Sequence, residues 1–272
     1  MTALTPGPSP ASRGGENAAT DVDALLAGLR QWAPVRDLKI DSLGEVGADP
    51  LLLLEPSRPG PGPNLLFAAG FHGEEPAGCW GCLRFLESAP PELFERANLA
   101  FLPLVNPTGL RAGRRRNDWD ENPNLGFCPA SQAYQAQPSR EGALLLAQLP
   151  RLMRLGGDGF VSLHEDIDLD KFYLFTFERS PQPGPFTRAL YRAERQFFEP
   201  QPDGVLEDYR VQDGLVYRAC DGTFEDRLFH EGLARTACTE TPGRLALPLR
   251  IAANAAIVRA VVKFALEGDT AS

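Results

Sequence analysis

Apolar positions set the first outline of the chain. Val22, Leu25, Leu26, Leu29 and Trp32 recur at helical spacing, which predicts an amphipathic helix with Thr20 or Asp21 as N-cap. Two short apolar runs, Leu51 to Leu54 and Leu65 to Ala69, flank the stretch EPSRPGPGP at 55–63. That stretch cannot continue a helix or a central strand, so it predicts a surface turn between two strands. A helix is expected from Pro76, a favoured first-turn residue. Further strands are expected over Phe101 to Val105, Phe160 to Leu163, Phe172 to Phe177 and Thr236 to Thr239. Leu144 to Met153 predicts a helix broken by Pro150, and Leu249 to Leu266 a closing amphipathic helix. Strands alternating with helices predict an α/β sheet covered on both faces.

Composition narrows the class. The 272 residues are 43% hydrophobic and 23% charged, enough for a full core. Residues 1–19 are Pro-rich and polar, without an apolar core segment, and read as a disordered leader rather than a secretory signal. No domain linker interrupts the rest, so one domain is expected over 20–272. No apolar run approaches the ~18 residues of a membrane span. The net charge of −9 argues against binding to a nucleic-acid backbone. Five cysteines, an odd count, predict free thiols and a cytoplasmic location.

The chain has three histidines, and two share a context. His72 follows the run Leu65 to Ala69, with Glu75 three residues on. His164 follows Phe160 to Leu163 and precedes Glu165. Ligands gather at the carboxyl ends of strands in open α/β sheets. Two histidines and one glutamate form a known catalytic zinc set; solvated loop residues are the alternative. Glu240 ends the strand RTACTE, where a carboxylate beside a metal could act as general base. Arg114, Arg115 and Arg116 sit together in an otherwise acidic chain and offer planar carboxylate binding. His230 lies in no comparable setting and reads as structural or surface. Cys79 and Cys82 match C-x-x-C but fall inside a predicted helix, which favours core packing.

In order along the chain these residues resemble the zinc carboxypeptidase superfamily, which includes succinylglutamate desuccinylase and aspartoacylase. The resemblance implies a three-layer α/β/α fold with a mixed, mostly parallel twisted sheet. It implies one Zn2+ per chain held by His72, Glu75 and His164. Glu240 would be the general base and Arg115 would polarise the scissile carbonyl. Asp120 would orient His72, and Asn122 would hold a substrate carboxylate. The family's D-x-N-R arginine falls on Pro123, so either Arg114 or Arg116 would substitute, or the substrate would not be held by a free carboxylate in the usual way. Tyr217 matches a mobile tyrosine, and Glu225 matches the residue that sets leaving-group specificity. The implied activity is hydrolysis of an amide or peptide bond in a small peptide or an acylated amino acid. A deacylase of N-acyl amino acids and an inactive binding relative are the alternatives. The resemblance sets no oligomeric state.

Overall fold

The computed structural model describes residues 19–128, 137–206 and 208–268. Residues 1–18 of the expected leader lie outside the described residues. Ala19 is buried, and its carbonyl accepts a hydrogen bond from Trp80 Nε1 at 2.8 Å.

Eight strands form one mixed sheet. In chain order its members are β1 (Leu38–Val46), β2 (Asp49–Pro56), β3 (Asn64–Ala69), β4 (Asn98–Leu102), β5 (Gly159–Asp166), β6 (Tyr173–Glu178), β9 (Leu215–Tyr217) and β10 (Arg235–Pro242). Their spatial order is β1-β2-β4-β3-β5-β10-β6-β9. The central strands β4, β3, β5 and β10 run parallel. A separate small ribbon pairs β7 (Gly204–Leu206) with β8 (Tyr209–Val211).

Period-two alternation divides the core into two layers. Leu65, Phe67 and Ala69 of β3 face one core with Leu99 and Phe101 of β4, whereas Leu66, Ala68, Ala100 and Leu102 face the other. The first core is closed by α1 (Val22–Val35), α2 (Pro76–Ser88), α7 (Pro185–Glu194) and α9 (Leu247–Glu267). The second is closed by α5 (Arg140–Ala147), α6 (Leu149–Leu155) and α8 (Phe224–His230). Of the short helices, α3 (Pro91–Arg96) lies beside β4 and α4 (Pro107–Ala112) beside β2. This is the three-layer arrangement that the sequence implies. Among the described residues no helix is long and apolar enough to cross a membrane.

Local chemistry explains the helix starts. Asp21 caps α1 by accepting from Ala24 N, and Pro76 occupies the first turn of α2. Pro150 likewise begins α6, which separates it from α5 instead of kinking one helix. The strand expected at Phe101 to Val105 lies earlier, over Asn98–Leu102, because Pro103 ends it. Cys79 and Cys82 are buried free thiols in the first core, and burial pushes both thiols up, Cys82 to about 12.

One close approach ties this frame to the site. The turn between β3 and α2 passes against the first turn of α4, and a Cβ on Gly73 would fall 1.9 Å from the Gly109 carbonyl carbon. Gly73→Ala should therefore cost about 1–3 kcal/mol of stability, read from chemical denaturation, and displace His72. Gly204→Ala is the control, since the nearest atom there lies 3.9 Å from the added carbon. Equal stability of the two variants would show that the turn does not depend on this approach.

Candidate metal centre

The turn after β3 carries His72 and Glu75, and β5 carries His164. Glu75 is the hub. Its Oε1 lies 2.7 Å from His72 Nδ1, and its Oε2 lies 2.8 Å from His164 Nδ1. All three side chains are buried, with ligand atoms within 4.8 Å of one another. Glu75 Oε2 also accepts from Glu165 N at 3.2 Å, and Arg115 Nη1 donates to Oε1 at 3.1 Å. The His164 ring stacks on Phe71 at 5.5 Å.

The hydrogen bonds test whether a cation belongs here. Asn122 Oδ1 accepts from Asn124 N at 3.0 Å, which fixes that atom as the amide oxygen. The same oxygen lies 3.1 Å from His72 Nε2, so Nε2 is the donor. In a neutral ring, Nδ1 then presents its lone pair to the Glu75 carboxylate, a repulsion relieved by a metal cation or a second ring proton between them. Burial pulls His72 down, although the Glu75 carboxylate opposes it. Burial also pulls on His164, but Glu75 outweighs it and raises that ring to about 9. Burial pushes Glu75 up, yet the two imidazoles hold it well below the usual carboxylate range. An ionised carboxylate flanked by two ring nitrogens fits a divalent metal.

Glu240 reaches the site through sheet register. In the parallel pair of β10 and β5, Glu240 stands directly opposite His164. It lines a cavity of about 710 Å3 together with His72, Arg115 and His164. Burial and the Glu75 carboxylate push Glu240 well above the ordinary range, while His164 and Arg115 pull the other way. Asn106 holds the parts together. It caps α4 by accepting from Gly109 N, and its Nδ2 lies 3.2 Å from both the Phe71 and Arg115 carbonyls. The N-P-T-G turn thus fastens the metal-side turn to the arginine loop.

Several expected residues stand elsewhere. Asp120 does not touch His72. It occupies a left-handed turn with φ 61°, is 87% exposed and pairs with Arg116. The side chain that meets His72 is Asn122, whose Oδ1 lies 3.1 Å from Nε2 and which also lines the cavity. Arg114 and Arg116 do not line the cavity, because each is drawn to an acid four residues on, Asp118 and Asp120. The Tyr217 hydroxyl lies on the carbonyls of Ser180 and Gln182, at 2.7 and 3.0 Å, outside the cavity lining. Glu225 is fully buried in the first turn of α8. It accepts from Ser162 Oγ, lies 3.3 Å from Asn124 Nδ2 and 3.9 Å from His164 Nε2, and so backs the ligand instead of reading a leaving group. Sequence reasoning missed Asn124, Asp208, Tyr209 and Asp221, all of which line the cavity. Asn124 has a legible signal: Asn122-Pro123-Asn124 repeats the polar-x-Asn spacing two residues later.

Groups that orient metal-binding histidines typically govern affinity by 10–100-fold. Asn122→Ala should weaken metal binding by about that factor, measured by competition with a chelator. Asp120→Asn, which tolerates the left-handed backbone, should leave affinity unchanged. The reverse ranking would restore Asp120 as the orienting group.

The comparisons with known proteins follow the same residues. The family model for the succinylglutamate desuccinylase/aspartoacylase catalytic domain matches residues 61–170, which hold His72, Glu75, Arg115 and His164. No curated protein matches the chain. A solved candidate metallopeptidase of Shewanella amazonensis SB2B is 39% identical, with a TM-score of 0.87, covering 91% of this chain and 94% of that one. Its counterpart from Shewanella baltica OS155 is 38% identical, with a TM-score of 0.86 and coverage of 91% and 93%. A metallo-carboxypeptidase of Burkholderia cenocepacia shares the fold at 19% identity, with a TM-score of 0.66, covering 89% of this chain and 68% of that one. From the likeness over nearly its whole length, the chain belongs to the zinc carboxypeptidase-like superfamily, a family of metal-dependent hydrolases.

Proposed function

We propose that the protein is a zinc-dependent amide hydrolase, with His72, Glu75 and His164 as the metal ligands. The observation that carries this reading is the Glu75 carboxylate clamped between two imidazole Nδ1 atoms, with Glu240 in register beside one of them. Zinc bound there supplies Lewis acidity, which acidifies water and polarises a carbonyl. Glu240 takes the proton of the attacking water and returns it to the leaving amine. Burial and the Glu75 carboxylate raise its proton affinity, which favours taking up the water's proton. Arg115, half exposed at the cavity wall, donates to the carbonyl oxygen as negative charge develops on it. A binding protein without catalysis has no use for a carboxylate at the Glu240 position.

The cavity lining supports a substrate class. Among the described lining residues Arg115 is the one arginine or lysine, whereas Asp208, Asp221 and Glu240 are carboxylates. Leu125 also lines the wall, and Arg114 and Arg116 do not. This lining supports neither a terminal carboxylate nor the free carboxylate of an N-acyl amino acid on the leaving side. It favours an amide whose leaving amine carries a second, cationic group. Asp221 is placed to read that group. Its Oδ1 is fixed by Thr223 N and Oγ1, at 3.0 and 2.7 Å, and burial pushes it up to about 7. The role expected of Glu225 passes to Asp221.

Glu240→Gln should retain metal and fold but lower kcat by about 10²–10⁴-fold on any amide that the wild type cleaves. Near-normal turnover would remove Glu240 from the mechanism. On a panel of acylated diamines and neutral analogues, kcat/KM for the cationic members should rise with pH as Asp221 ionises, through about 7. Asp221→Asn should abolish that rise and reduce their kcat/KM about 10- to 150-fold, with little effect on neutral amides. Equal losses for both classes would show that Asp221 does not read charge.

A further inference from the structure

The rim of the cavity holds a second group of donors that the proposed chemistry leaves unused. The Cys220 thiol, a carboxylate oxygen of Asp226 and a ring nitrogen of His230 lie within 4.8 Å of one another. Asp226 and His230 stand four residues apart on α8, with His230 Nδ1 2.8 Å from Asp226 Oδ1. Cys220 comes from the loop between β9 and α8.

Asp226 is the residue that needs an explanation. It is completely buried. Thr223 caps α8 by accepting from Asp226 N, and Asp226 Oδ2 accepts from Gly222 N at 3.0 Å. This reciprocal cap satisfies one carboxylate oxygen. The other, Oδ1, is buried with no well-aligned hydrogen bond. Its neighbour His230 Nδ1 also lies 2.9 Å from the Asp226 backbone carbonyl, and one N–H cannot point along both directions. An orphaned carboxylate oxygen facing an imidazole and a thiol suits a thiophilic divalent cation, not the all-oxygen sites of calcium or magnesium.

We propose that Cys220, Asp226 and His230 form a second site for a zinc-class divalent cation. The Cys220 thiol gives its proton to solvent on binding, and His230 carries its remaining proton on the exposed Nε2. The site lies next to Asp221 in sequence, so an ion there would fix the loop that forms one wall of the cavity.

The test is a titration of the reduced, metal-free chain with cadmium chloride, following thiolate-to-metal charge-transfer absorption and counting bound metal. The wild type should bind two equivalents, one of them accompanied by the thiolate band. Cys220→Ser should lose the band and one equivalent, and so should His230→Gln, a change at a mostly exposed side chain. His72→Ala should lose the other equivalent and keep the band. Cys238→Ser serves as the control for the buried thiol near His164 and Glu225, and should leave the band unchanged. Circular dichroism confirms that each variant is folded. A wild type without the band overturns the site. So does a band that survives in either folded variant at Cys220 or His230, or one that disappears only with Cys238.

Discussion

A buried carboxylate that points both oxygens at imidazole nitrogens is the constraint around which this structure is organised. Glu75 has almost no contact with solvent; an imidazole stands at each oxygen, and Arg115 Nη1 donates to one of them. Such a group is costly unless a positive charge sits among its partners. Its support is correspondingly dense. Glu165, next to His164, accepts from Ala77 N at 2.6 Å and pairs with Arg250 of the closing helix. The start of α2, the end of β5 and the start of α9 are thereby joined at one point behind the ligands.

The fold and the clustering of His72, Glu75 and His164 were legible for the same reason: both depend on short-range pattern. Short continuous apolar runs marked the buried strands β2, β3, β5 and β6. The His72–Glu75 pair spans a single turn, so its spacing carries its geometry. The strands β1 and β7 to β9 left little signal, because β1 is half exposed with a register shift at Ser42/Gly44 and the others have three residues each.

The substrate side was far less legible. Asp120-x-Asn122 and Asn122-x-Asn124 have the same spacing, and nothing local in the residue types separates them. The backbone does, since Asp120 turns left-handed into solvent while Asn122 and Asn124 are buried. Glu225 reads as a loop carboxylate, but Thr223 starts a helix that turns its side chain inward against Ser162. Tyr217 ends an edge strand whose neighbour is β6, and the loop at 180–182 takes up its hydroxyl. In each case the deciding fact is a tertiary contact far away in sequence. The cluster of Cys220, Asp226 and His230 was hidden in the same way, since the sequence gives each residue an ordinary surface setting.

The parallel register between β5 and β10 has a wider consequence. Side chains alternate along a strand, so sliding β10 by one residue would turn Glu240 to the opposite face of the sheet. The separation between Glu240 and His164 is therefore held by an entire ladder of backbone hydrogen bonds, not by any loop. Asp208, Tyr209, Asp221 and Thr223, which line the same cavity, belong to the connection between β6 and β10. The two sides of the cavity are thus encoded in separable parts of one chain. Divergence in that connection can reshape the cavity while the spacing of Glu240 and His164 stays as the sheet sets it.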